Sequence, residues 1–403
     1  MTEQISPAQT ERSLLTRRSA LTCAAAGFPY LLLSGGALGA VPSTPVVETT
    51  AGRVSGVRER GCDIFRGVPY AGSVSGKHRF RAPVAPVPWA GIRDATRPGA
   101  PSIQVAGQTF GIGEPSPAED CLTLTIWTPA ADGRRRPVMV YSHGGGFTTG
   151  SAASVLQDGA NLARQNDVVV VQTNHRLGLL GFLYLDDIAG PEYQGSGCNG
   201  VRDIAAALRW ISNNIGAFGG DPGNVMIFGE SGGGAKTSCL YAMPEAAPYF
   251  HKASIESGPG IRMTRTQEAH ETTAQVLSEL GIAALDWRRL IDMPVAELLR
   301  VQVKLSGMPN SGALAGGRNG IGAARRGFAP VVDGYALPAH PFDPAAPETS
   351  RAKPLIVGYN RDEFTFFGMV AGDRDAFALS DAGLVERMKR ELPDDWAKVL
   401  DVY

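Results

Sequence analysis

Val225-Met226-Ile227-Phe228-Gly229-Glu230-Ser231-Gly232-Gly233-Gly234 is an apolar run of strand length that ends in Gly-x-Ser-x-Gly and leads into a helix-like segment. Strand, sharp turn and helix in that order are the grammar of a nucleophile elbow. A serine hydroxyl is a weak nucleophile until a tight turn exposes it above a sheet edge, with room for a base to take its proton. Gly229 and Gly233 supply that room, because a side chain at either position crowds the turn. An ordinary glycine-rich turn shares the five-residue pattern, so the surrounding sequence has to separate the two.

Upstream, Pro137-Val138-Met139-Val140-Tyr141-Ser142 reads as a second buried strand and ends in His143-Gly144-Gly145-Gly146-Phe147. Acyl transfer passes through a tetrahedral oxyanion, and glycines let backbone N–H groups approach it closely, each donor contributing about 3 kcal/mol. The expected donors are Gly145, Gly146 and Gly232, the last being the residue after the serine. His143 is read as a brace for the glycine loop rather than as a reacting group.

Further segments complete a pattern that resembles the type-B carboxylesterase family, the cholinesterase-like branch of the α/β-hydrolases. They are Thr50-Ala51-Gly52-Arg53-Val54-Ser55-Gly56, Phe65-Arg66-Gly67-Val68-Pro69-Tyr70-Ala71, Arg79-Phe80-Arg81-Ala82-Pro83 and Glu119-Asp120-Cys121-Leu122-Thr123-Leu124. Asn174-His175-Arg176-Leu177-Gly178, Ala217-Phe218-Gly219-Gly220-Asp221-Pro222 and Pro330-Val331-Val332-Asp333-Gly334 extend the likeness, with His175 where the family usually has tyrosine. The resemblance runs from about residue 45 to residue 403. It implies a doubly wound, mostly parallel sheet with a helical lid, and a carboxylic ester hydrolase working through an acyl-serine intermediate without metal or organic cofactor.

The resemblance places the triad acid in Gly358-Tyr359-Asn360-Arg361-Asp362-Glu363, after a strand at Pro354-Leu355-Ile356-Val357. Glu363 is the expected acid and Asp362 its rival. A carboxylate is needed there to hold an imidazole in the right tautomer and to stabilise the imidazolium. The base breaks the pattern, since family order is Ser, then acid, then His, and no histidine follows Glu363. All six histidines, His78, His143, His175, His251, His270 and His340, lie upstream of it. Of these only His340, in a proline-rich connection, is a conceivable recruit. Family members run well past this length, so the resemblance implies a C-terminally incomplete domain, from residue 41 to 403, without the histidine loop, the last strand and the closing helices. The alternatives are a non-catalytic cholinesterase-like binding domain, and an amide or carbamate hydrolase on the same machinery.

With 43% hydrophobic and 19% charged residues, the 403-residue chain has the composition of a large globular core. A formal net charge of −1 gives no electrostatic reason to expect nucleic acid or an anionic membrane as partner. The expected partner is a small-molecule ester; oligomeric state is left open. Residues 1–40 differ: Thr16-Arg17-Arg18-Ser19-Ala20-Leu21 precedes a weakly apolar stretch ending near Ala40, which resembles a twin-arginine export signal and implies a periplasmic or extracellular location.

Cys62, Cys121, Cys198 and Cys239 have no metal-site spacing. The family usually bonds the cysteine at position 121 to one about twenty residues upstream, but Ser102 stands there. Residues 167–173 read as a continuous buried strand. Residues 203–215 place Ile204, Leu208, Ile211 and Ile215 on one helical face. Residues 267–305 are expected to form the helical lid side, and residues 306–327 a loop. The family comparison implies two ion pairs, Arg79 with Glu119 and Arg176 with Asp203, and leaves Glu230 in a supporting role. Choline-ester specialists of the family stack the ammonium on a tryptophan before the Glu-Asp-Cys signature. Between Ser102 and Cys121 the only aromatic residue is Phe110, so short uncharged esters are the expected substrates.

Overall fold

The computed structural model describes residues 45–105, 114–306, 327–363, 365 and 374–402. The export-signal reading at residues 1–40, Phe110, and nearly all of the loop expected at 306–327 lie outside the described residues.

Strands run in chain order β1 (Val46–Thr49), β2 (Gly52–Ser55), β3 (Val57–Glu59), β4 (Cys62–Pro69), β5 (Ile92–Asp94), β6 (Thr123–Thr128) and β7 (Arg136–Ser142). They continue with β8 (Val169–Thr173), β9 (Gly220–Glu230), β10 (Lys252–Glu256), β11 (Thr264–Arg265), β12 (Val331–Val332) and β13 (Leu355–Gly358). Eight of them form the central sheet in the order β13-β10-β9-β7-β8-β6-β4-β3. The five from β13 to β8 are parallel, and β6, β4 and β3 extend the sheet antiparallel. Every residue of β8 is buried, as a Val-rich run without alternation requires of a strand covered on both faces.

Chain order in this sheet fixes where a ligand can sit. From β7 the chain steps to β8 on one side, whereas β9 lies on the other side of β7. Loops leaving β7 and β9 therefore diverge at their carboxyl ends, and the crevice at such a switch point is where open α/β sheets bind. The glycine loop follows β7 and the elbow serine follows β9.

The elbow strand starts earlier than its apolar run predicts. Gly220 pairs with Arg136 and Val225 with Val138, so residues 221–224 bulge from a ladder that has already begun. Arg136 draws that end together, bonding Asp132 and Asp167 through its side chain while its backbone N–H donates to Gly219. The helix expected at 203–215 occupies Asn199–Asn214 and is buried almost all round, because it packs against other helices as well as β9. The lid side is broken into Thr266–Glu279, Arg289–Asp292 and Val295–Ser306. Pro294 and Gly281 explain the breaks, since neither residue continues a helix well.

Both expected ion pairs are present. Arg79 grips Glu119 with two nitrogens at 2.6 and 2.7 Å, and its remaining nitrogen donates to the carbonyls of Leu290, Ile291 and Met293. Arg176 forks onto Asp203 at 2.9 and 2.7 Å, and Asp203 is wholly inaccessible to solvent. The four described cysteines are free and buried, and the Ser102 hydroxyl, at the position of the family's usual partner for Cys121, accepts from Leu177 N at 3.1 Å. Among the described residues no helix is long and apolar enough to cross a membrane.

Candidate active site

Ser231 sits between β9 and the helix Gly232–Ala242 with φ 56° and ψ −121°, a backbone state that L side chains rarely adopt. The turn is held from both sides: Ser231 N donates to Glu256 O at 2.8 Å, and Ser231 O accepts from Ala235 N at 3.1 Å. Both elbow glycines are required by contact. A Cβ on Gly229 would strike the backbone of Gly233, and one on Gly233 would strike the Ser142 carbonyl. The helix that follows packs against β7, β9 and β10, which fixes the direction in which the serine is presented.

The glycine loop lies directly against this turn. Gly145 has φ 84° and Gly146 φ 59°, and the Gly145 carbonyl is tied by Thr149 N at 3.1 Å and Thr149 Oγ1 at 3.2 Å. The backbones of Gly146 and Gly232 are so close that a Cβ on Gly232 would overlap Gly146. The N–H groups of Gly145 and Gly146 have no acceptor among the described residues, and Gly232, as the first helical residue, has none within its own helix. Gly145, Gly146 and Gly232 thus leave backbone N–H groups unspent close to the Ser231 turn, an arrangement that could serve an oxyanion.

Glu363 reaches the same place by a longer route. Ser257 N donates to Gly358 O at 2.8 Å, which continues the β10–β13 ladder beyond the strand ends. Ser257 itself has φ 52°, and a Cβ on the following Gly258 would meet the Ser231 backbone. Hydrogen bonds from the Ser257 hydroxyl and then from Asn360 N hold the Glu363 carboxyl below its usual range, so it is ionised at neutral pH. Its Oε1 accepts from Asn360 N at 3.1 Å. Asp362 instead contacts Arg361 at the surface.

The neighbourhood is acidic. Burial, then the charges of Glu363 and Glu256, raise the Glu230 carboxyl above its ordinary range. The Tyr141 phenol is pushed up to about 12 by burial and by Glu230 and Glu256. Glu256 is held by the Ser254 hydroxyl at 3.0 Å.

Three of the imidazoles are held by other parts of the fold. His340 Nδ1 accepts from Met263 N, His251 Nδ1 from Val225 N, and His270 Nδ1 contacts Asp187. His143 is buried beneath the glycine loop with Nδ1 2.9 Å from Gly144 O, the bracing position expected of it. Its ring stacks on His175 at 4.4 Å.

Sequence reasoning missed several supports. Gln104 clamps Gly150 with two hydrogen bonds of 3.0 Å, and Asn174 ties Ala152 N to Ala100 O. Ser257 was legible only as a Ser-Gly pair after an apolar run, and Lys236 only as a charge inside a helix with no polar face.

Sheet order, crossover helices and elbow turn define an α/β-hydrolase, and solved structures agree. A carboxylesterase of Geobacillus stearothermophilus, EST55, superposes with TM-score 0.72 at 37% identity, covering 86% of this chain and 69% of that one. The chain belongs to the carboxylesterase family: a sequence model of that family matches residues 43–395. It is 36% identical over 362 residues to para-nitrobenzyl esterase of Bacillus subtilis, covering 89% of this chain and 70% of that protein. It is 36% identical over 336 residues to phenmedipham hydrolase of Pseudarthrobacter oxydans, covering 80% of this chain and 62% of that protein.

Proposed function

We propose that this chain carries the acylation centre of a carboxylic ester hydrolase. Ser231 is the nucleophile, Gly145, Gly146 and Gly232 donate to the oxyanion, and Glu363 is the orienting carboxylate. The observation that carries this reading is the Ser231 turn, strained at φ 56° and pressed against a glycine loop with free N–H groups. Attack by Ser231 Oγ on the acyl carbon forms a tetrahedral adduct, and collapse expels the alcohol to leave an acyl-serine that water clears. Glu363 would orient the imidazole that accepts the serine proton, and the ring contacts of His143, His251, His270 and His340 hold those four imidazoles to other parts of the scaffold. The carboxylates of Glu230, Glu256 and Glu363 disfavour anionic substrates, which supports a small uncharged ester.

A fluorophosphonate probe tests the assignment: it should label wild-type protein at Ser231 and leave Ser231→Ala unlabelled. Labelling that survives the substitution refutes it. Export by the twin-arginine route is part of the same proposal, supported by Arg17-Arg18 and the weakly apolar stretch behind them. Replacing both arginines with lysine should hold the protein in the cytoplasm, and unchanged export refutes that part.

A further inference from the structure

Lys236 lies on the helix Gly232–Ala242 and is fully buried. Its Nζ donates to the His143 carbonyl oxygen at 2.8 Å, and no carboxylate lies within ion-pair distance of it among the described residues. Beside it the buried rings of His143 and His175 stack with 16° between their planes. His143 Nε2, both ring nitrogens of His175, and the hydroxyls of Thr173 and Thr237 have no hydrogen-bond partner among the described residues.

A buried ammonium without a counter-charge is expensive, and an apolar side chain would fill the same space at lower free energy. Burial alone pulls the Lys236 ammonium down to about 7. Burial, and then the charge of Lys236, push both imidazoles well below their usual range, so the rings stay neutral. Lys236 is therefore the one source of positive charge in this cluster.

The acceptor of its hydrogen bond shows what the lysine holds. His143 is the residue immediately before Gly144-Gly145-Gly146, a segment without side chains of its own to anchor it. The loop is tied at its far end by Thr149, and at its near end by Lys236. Lys236 shares a helix with Gly232, so its bond couples two of the proposed oxyanion donors to the third. Oxyanion stabilisation depends on donors fixed within about 0.5 Å of the productive geometry.

We infer that Lys236 is a positioning residue for oxyanion formation, clamping the glycine loop to the elbow helix through the His143 carbonyl and setting a positive charge behind the donors. This rests on the ester-hydrolase reading above. The test compares Lys236→Met, which removes charge and donor, with Lys236→Gln, which keeps a neutral N–H donor. Three quantities are measured: hydrogen exchange of the Thr148 and Thr149 amides bonded to Gly145 O, the rate of Ser231 phosphonylation by a p-nitrophenyl alkylphosphonate, and the affinity for a non-reacting ether analogue of the ester.

In Lys236→Met the two amides should exchange at least about tenfold faster and phosphonylation should slow about ten- to a hundredfold. Ether affinity should change less than about twofold, because uniform binding is untouched. Lys236→Gln should fall between Met and wild type. Melting at neutral pH should show Lys236→Met at least as stable as wild type, so that the slower reaction is not unfolding. Unchanged exchange overturns the clamp, and equal losses in phosphonylation and ether binding overturn its role in the reaction. Wild-type protein that fails to phosphonylate at Ser231 would count against the hydrolase reading, while the exchange arm still decides the clamp.

Discussion

Replacing Ser231 by glycine should make the protein more stable while removing its nucleophile. At φ 56° and ψ −121° a residue with a Cβ is held in a sparsely populated state, at a cost of about 1–3 kcal/mol. Glycine adopts that state freely but loses about 0.5–1 kcal/mol more backbone entropy on folding. The difference is a net gain of about 0.5–2 kcal/mol. For a domain of this size that is a rise of about 1–3 °C in Tm, taking the usual entropy of unfolding per residue. Ser231→Ala is the control, because it keeps the Cβ and therefore the strain. The Ser231 hydroxyl makes no hydrogen bond among the described residues, so the alanine variant should stay within about 0.5 kcal/mol of wild type. Urea denaturation and thermal melting of the three proteins, with probe labelling in parallel, make the measurement. A glycine variant no more stable than the alanine variant refutes the claim that the turn is held against its own preference.

Arg176→Met should cost about 3–5 kcal/mol in urea denaturation, because it strands the fully buried Asp203 carboxylate, and adding Asp203→Leu should recover much of the loss. Ser102→Cys should create a crosslink to Cys121, since both side chains are buried and Ser102 is close enough to Cys121 to influence its thiol, and closing about 20 residues should stabilise the fold by about 3 kcal/mol. Thiol titration reads it: free thiols persisting under oxidising conditions defeat the prediction. Lys236 gives the stability curve a slope whose sign follows from its pKa, lowered from 10.5 to about 7. Between those values the unfolded chain holds a proton that the native protein lacks, so this residue makes stability rise with pH across that window. Lys236→Met removes up to about 5 kcal/mol of destabilisation at pH 7 and below, and its advantage should vanish near pH 10. A pH-independent difference between the two proteins contradicts the buried-charge argument.

The strand-turn-glycine units after Ser142 and Phe228 were legible because their determinants are local. Apolar runs specify buried strands, and glycines mark turns where a Cβ has no room, a steric fact that travels with the residue itself. The ion pairs of Arg79 and Arg176 were legible only through resemblance, since each joins segments tens of residues apart. Tertiary structure alone decided where β9 begins, because Arg136 recruits Gly220 across the bulge. It also decided that the Ser257 hydroxyl meets Glu363, through a ladder between strands about one hundred residues apart in the chain. Lys236 is the sharpest case. In sequence it is a charge on a short helix, and its meaning comes from a carbonyl 93 residues away that packing brings to 2.8 Å. Burial sets a side chain's charge state and its partners, and burial is a property of the assembled layers rather than of any segment within them.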